Sequence, residues 1–310
     1  MTRARAVKFL TGMAACLALA GCIGAPAPVV APPPVEPVAP PPPTPKSAAA
    51  AAYYAQVQQV LLREGMLRTD PGSEIAVRPD RLTENFLKIA LYQEFTRSRG
   101  GITREETASP LTRWQDPVRV AVRFGPSVPA EKQATDRARI ASYLARLSQV
   151  TGHPIALTEG APNFWVYIVS EDERLALGPE LAGLRIGIAP DVIQAVTQMS
   201  QTTYCNVFAI SGSESHLHRH AVAVIRAENP DLLRLSCFHE EIAQGLGLPN
   251  DSPRARPSIF NDDEEFALLT DQDEMMLRIL YSPELRPGMT AAEARPIVES
   301  LARRMVGGES

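Results

Sequence analysis

What this sequence lacks narrows its possible roles. It has no excess of positive charge: 31 Lys and Arg face 35 Asp and Glu, a net charge of −4 over 310 residues. That balance disfavours nucleic acid and anionic lipid headgroups as primary partners. Past the N-terminal region no segment is long and apolar enough to cross a bilayer. There is no nucleophile elbow, Ser211-Gly212-Ser213-Glu214 included, and no serine or cysteine triad signature. No internal repeat is present. Cysteine is sparse, with four in the whole chain, so the compartment of each one matters.

What is there begins with MTRARAVKFLTGMAACLALAGC. Arg3, Arg5 and Lys8 form a positive n-region, and Phe9 to Ala20 is an apolar run of secretory-signal length, too short to span a bilayer. Leu19-Ala20-Gly21-Cys22 resembles the lipobox of bacterial lipoproteins. That resemblance implies cleavage before Cys22 and acylation of its thiol and new amine, by chains such as palmitate. The alternative is an ordinary signal peptide with a chance cysteine. Two lipid signals suffice for firm anchoring, so a lipid-anchored envelope protein on the periplasmic face is expected. Ile23 comes directly after the cysteine; aspartate there would suggest inner-membrane retention, so the outer membrane is favoured.

Residues 25–46, APAPVVAPPPVEPVAPPPPTPK, cannot build a core and favour extended polyproline II. At about 3.1 Å per residue such a spacer reaches roughly 60–70 Å; recognition of SH3-like partners is the sharper alternative. Loss of residues 1–21 removes three basic groups and no acid, taking the charge from −4 to −7. Cys16 leaves with the signal and Cys22 carries lipid, so Cys205 and Cys237 remain. In an oxidising compartment a disulfide between them is favoured over two buried thiols. Closing that loop contributes about 3–4 kcal/mol in the chain-entropy model.

The expected organisation is signal peptide 1–21, linker 22–47, helical extension and loop 48–80, and one domain over 81–310. The spacing predicts a helix over 48–68, loosely joined to the rest of the chain, and another from Leu82 to Arg97 capped by Thr83. Trp114 then leads into VRVAVRF, residues 118–124, the clearest alternating strand. An amphipathic helix from Asp136 ends at Gly152 and Pro154. Strands come next over Asn163–Ser170, Cys205–Ile210 and Ala221–Arg226, with a short helix over Pro190–Met199. Asn229-Pro230 caps a helix to about Leu246, with Gly247 as its left-handed stop. Helices over Asp271–Tyr281 and from the capping box Thr290-x-x-Glu293 close the chain. Strands with a crossing helix, then helices only, read as α+β with a mixed sheet.

The stretch CFHEEIAQGLGLPND, Cys237 to Asp251, carries the chemistry. A zinc-peptidase helix places ligands at i and i+4 on one face, with Glu at i+1 to polarise the metal-bound water. Started at His239, the motif puts Ala243 at i+4 and Leu246 where a turn glycine belongs. Started at Glu240, it gives Glu241 as base, Gln244 at i+4, Gly247 at the turn and Asn250 at i+10. The second register fits the backbone requirement. Downstream, Ser258-Ile259-Phe260 resembles the Met-turn of metzincins with Phe260 in the methionine's place, and LLTDQDEMMLRILY resembles the helix after that turn in matrixin-like proteases. Roughly residues 80–288 resemble the bacterial DUF2927 family, whose members carry a similar Glu-Glu-x-x-Gln-x-x-Gly core. The combined resemblance implies a degenerate metzincin or zincin-like domain with the motif on a central helix.

Carried across, Glu240, Gln244 and Asn250 take the ligand positions and Glu241 the general-base position. One carboxylate and two amides are hard oxygen donors that suit Ca²⁺ or Mg²⁺ better than zinc. They are equally able to form a hydrogen-bonded cluster that fixes the helix to its loop. Adjacent glutamates diverge by about 100° on a helix, so Glu241 is expected at the edge of any cleft that Glu240 faces. His216, His218 and His220 share one side if they lie on a strand, and His239 is a fourth imidazole; the plainer reading is a solvated hairpin tip. Asn261 to Glu265 offers oxygen ligands without EF-hand spacing. The expectation is a non-catalytic binding or structural module, without metal or cofactor, that meets an envelope protein or peptidoglycan and no nucleic acid. The alternative is a hydrolase of peptide or glycan bonds with Glu241 as general base.

Overall fold

The computed structural model describes residues 39–98, 101–261 and 263–307, without the side chains of 94–98 and 101–104. The signal, Cys22, most of the proline-rich run and Asp262 lie outside the described residues. The first helix, α1 (Pro45–Arg63), starts where Thr44 accepts a hydrogen bond from the Ser47 amide, with Pro45 in the first turn where its missing N–H costs nothing. It is held tightly, contrary to the loose joint expected. Tyr54 is fully buried and donates to the Gln201 carbonyl at 2.9 Å. Ala50, Tyr54, Leu67, Leu233 and Ala267 form an apolar cluster of their own.

Helix α2 (Pro79–Ala90) ends seven residues before Arg97, where the sequence pattern would have carried it. Tyr92 instead enters a hairpin of β1 (Tyr92–Ser98) and β2 (Gly101–Ala108), in a stretch rich in Thr and aromatic residues that suit a pleated ribbon. Thr83 is not the cap. Arg78 occupies that position, and the Thr83 hydroxyl bonds back to the Pro79 carbonyl at 2.9 Å.

The central sheet starts with β3 (Val118–Phe124), whose Val118, Val120 and Val122 are buried while Arg119 and Arg123 are exposed. Helix α3 (Ala130–Thr151) crosses over and stops at Gly152, which is left-handed at φ 66°. The short β4 (Ile155–Leu157) and the fully buried β5 (Phe164–Val169) come after it. Three small helices, α4 (Glu171–Leu175), α5 (Gly178–Gly183) and α6 (Pro190–Thr197), cover the next crossing. Then come β6 (Cys205–Ser211) and β7 (His218–Arg226), and after them α7 (Asp231–Gln244), α8 (Asp271–Leu280) and α9 (Ala291–Gly307). Strand order is β4-β3-β5-β7-β6, parallel except for the antiparallel edge strand β6. The fold is α+β with a mixed five-stranded sheet. Successive side chains of β5 and β7 enter a larger core on one face and a smaller one on the other, which is why these strands are apolar throughout.

The N-cap of α7 is Pro230, which makes no side-chain cap bond. Asn229 turns away to donate to the Tyr204 carbonyl, and Gln58 of α1 accepts the Leu233 amide in the helix's first turn. The helix ends at Gln244, two residues before the expected stop. Gly247 does carry a positive φ, 126°, and a Cβ there would stand 2.3 Å from the Thr112 carbonyl oxygen. Space and backbone both demand glycine. Gly247→Val is therefore expected to destabilise the protein by about 2 kcal/mol or more, measured by urea unfolding; unchanged stability would place the motif turn elsewhere.

Candidate functional site

The disulfide Cys205–Cys237, with Cα atoms 5.9 Å apart, joins the first residue of β6 to the middle of α7. One turn further along α7, Glu240, Glu241 and Gln244 line a cleft of about 720 Å³. The facing wall is the loop after α7, through Asp251, Ile259, Asn261, Asp263 and Glu264. The segment Thr202–Asn206 closes one side and Leu61, from α1, reaches the rim. Five carboxylates line this space and no Lys, Arg or His does. It is an acidic, polar cleft.

The expected ligand set is rearranged. Gln244 donates to Asp251 at 3.1 Å, so Asp251 takes the place given to Asn250. Asn250 is buried with its amide turned outward from the cleft, donating to the Lys88 carbonyl at 3.0 Å and to Glu106 at 3.4 Å. It pins the loop to α2 and β2. The cluster of Glu240, Gln244 and Asn250 is thus not assembled. Glu241 does line the cleft beside Glu240, at 4% exposure while Glu240 is half-buried. The edge position expected for it is instead a place in the wall.

The imidazoles do not converge. His239 lies on the far side of α7, where Nδ1 accepts the Leu269 amide at 3.0 Å and Tyr143 stacks on the ring at 3.9 Å. Burial drives its pKa down to about 3, with Arg146 adding to the effect. His218 is buried edge-on to Trp114, in the larger core, with Nδ1 2.8 Å from the Ser211 hydroxyl; burial takes it to about 4. His220 sits by Trp165, in the smaller core, and His216 packs over Gly288. The solvated tip read from the sequence describes His216 at most.

The turn carrying Phe260 is set by a residue outside the motif. Asp273 is fully buried and accepts from the Ser258 hydroxyl at 2.6 Å, the Ile259 amide at 3.0 Å, the Thr270 amide at 2.9 Å and the Thr270 hydroxyl at 2.8 Å. Ser258 in turn accepts the Phe260 amide, and Phe260 is wholly buried below the loop. Burial raises the Asp273 carboxyl to about 6 against these bonds. Its signal was visible as the spacing Thr270-x-x-Asp273, a capping box for α8. In the acidic run, Asp263 and Glu264 reach the cleft, while Glu265 pairs with Arg68 and Arg256.

A catalytic zinc does not fit these donors. One ligand atom from each of Cys205, Glu240 and Glu241 falls within 4.8 Å of the others, but that sulfur is bonded to Cys237. No imidazole reaches the cleft, and its oxygen donors suit hard cations.

The model of a family described as a protein of unknown function (DUF2927) matches residues 79–300. The chain belongs to the DUF2927 family. No curated protein and no solved structure matches it. The DUF2927 match covers every element from α2 to α8 and most of α9 and leaves out α1, so the Leu61 rim of the cleft comes from outside the matched segment.

The buried imidazoles give stability a pH dependence of definite sign. Above pH 6.5 His239 is neutral in both folded and unfolded chains. Below it the unfolded chain takes up a proton that the native ring refuses until about pH 3. Stability is therefore lost as pH falls through that window, by about 1.4 kcal/mol per pH unit for each such ring. His218 acts likewise down to about pH 4, whereas Asp273, raised to about 6, opposes them at the acid end. Urea unfolding between pH 6 and 4.5 should show a slope shallower by about 1.4 kcal/mol per pH unit in His239→Gln. Parallel curves for variant and wild type would contradict this assignment.

Proposed function

We propose that this chain is a lipid-anchored cell-envelope protein whose degenerate zincin-like domain is a non-catalytic binding module for a positively charged ligand. The N-terminal signal with its Leu-Ala-Gly-Cys end supports the anchor at Cys22, on the periplasmic face with the outer membrane favoured. The zincin-like reading draws support from the motif helix placed after a mixed sheet, the positive-φ Gly247, and a buried Phe260 turn held to α8. The observation that carries the function is the cleft: five carboxylates, no basic side chain, and about 720 Å³ of space. Such a cleft attracts cations and repels nucleic acid. A lysine-bearing segment of an envelope protein, or an amine-bearing peptide of the cell wall, has the matching charge. No cofactor is needed.

The second reading is hydrolysis of peptide or glycan bonds with Glu241 as general base. It is favoured by one fact, that Glu241 is nearly buried yet lines the cleft, an environment in which a carboxyl group gains basicity.

One set of preparations tests these claims. Cys22→Ser should move the protein from the membrane fraction to the soluble fraction. The purified protein should bind a fluorescent lysine-rich peptide in anisotropy titrations, more weakly as salt rises, and bind a glutamate-rich peptide hardly at all. Glu240→Lys with Asp251→Lys should abolish that binding. Absence of binding by the wild type would refute the cationic ligand. Peptide cleavage that disappears in Glu241→Gln would replace the module with the hydrolase.

A further inference from the structure

A second cavity, of about 290 Å³, lies at the C-terminal ends of β3 and β5, over the smaller core. The crevice outside the carboxyl ends of parallel strands is where open sheets of this kind receive ligands. Tyr167 reaches it from β5 at 1% exposure. Burial, and then the Glu180 carboxylate, push the Tyr167 hydroxyl's pKa up, yet no acceptor stands within bonding distance of that hydroxyl. A buried hydroxyl without a partner is uncommon and calls for an explanation.

The rim adds two charges of opposite sign. Arg123, at the end of β3, and Glu180, on α5, are both exposed, and neither forms an ion pair among the described residues, with each other or otherwise. Glu173 also borders the cavity, but its carboxylate is consumed by the Ser127 amide and hydroxyl and the Ser170 amide, at 2.7, 2.8 and 2.7 Å. Phe124, Val169 and Leu177 supply an apolar wall. A simple anion would meet Glu180, and a simple cation would meet Arg123. A small molecule with both charges on adjacent atoms and an apolar tail meets neither objection.

We propose that this cavity binds a free α-amino acid with an apolar side chain. Its carboxylate pairs with Arg123 and accepts the Tyr167 hydroxyl, its ammonium pairs with Glu180, and its side chain lies on Phe124, Val169 and Leu177. This site is separate from the acidic cleft and does not depend on it.

Calorimetric titration of the full chain with leucine of either hand tests the proposal, with isoamylamine and 4-methylpentanoate as analogues that each lack one charge. Leucine of at least one hand should bind saturably, and both analogues at least about tenfold more weakly. Arg123→Gln and Glu180→Gln, both on the exposed rim, should each weaken leucine by a similar factor. Tyr167→Phe should weaken it too while leaving the melting temperature unchanged, because the hydroxyl has no protein partner to lose. No leucine binding, equal binding of the singly charged analogues, or unaltered binding by Tyr167→Phe overturns the proposal. Glu240→Lys should leave leucine binding intact, which separates failure here from failure of the cleft.

Discussion

The turn after α7 is clamped at three consecutive residues, and the rest of the candidate site depends on that clamp. Trp114 donates its indole N–H to the Gly245 carbonyl at 2.8 Å, and Tyr281 donates its hydroxyl to the Leu246 carbonyl at 3.0 Å. Gly247, without a side chain, then slides beneath the Thr112 carbonyl. Both donors are aromatic and belong to or pack on the larger core, so the turn cannot shift without unpacking it. The chain leaves this clamp on a fixed heading. Leu248 is buried, Asn250 is caught by α2 and β2, and Asp251 is delivered to the cleft opposite Gln244.

The opposite wall has its own anchor. A buried carboxylate is costly unless hydrogen-bonded, and Asp273 meets that condition by gathering amides and hydroxyls from Ser258, Ile259 and Thr270. It ties the start of α8 to the turn that carries Phe260. The disulfide performs a similar service on the third side, fixing β6 to α7. Helix, loop and edge strand are therefore each locked by a different interaction, and the space between them stays open with its carboxylates in place. In a metalloprotease a metal would bring helix and loop together. Here one hydrogen bond from Gln244 to Asp251 spans the same gap, supported by the clamps behind it.

Much of the fold was readable in the residues. The alternation of VRVAVRF, the aromatic run of β5, the Thr290 capping box and the pairing of Cys205 with Cys237 all carried local signals strong enough to survive packing. The hairpin β1–β2 was missed because its first strand continues the apolar spacing of α2, and only the antiparallel partner decides between the two. The short β4 and the small helices α4 and α5 have too few residues to show a period. At the site, the register from Glu240 located the cleft, because glycine at Gly247 answers to a backbone demand visible in the motif. The neighbour swap from Asn250 to Asp251 was not legible: which of two adjacent polar residues faces a cleft is set by α2 and β2, more than a hundred residues earlier in the chain. His218 and His220, two apart on one strand, pack against tryptophans in different cores, which the strict alternation of a strand would not have foretold.

The central claim is that the motif helix kept its shape after losing a zinc site, and that its cleft now presents oxygen ligands alone. Elemental analysis of the purified protein, after dialysis against metal-free buffer, addresses it directly. The account predicts no stoichiometric zinc. One zinc per chain, retained through dialysis and lost in Glu240→Ala, would contradict it.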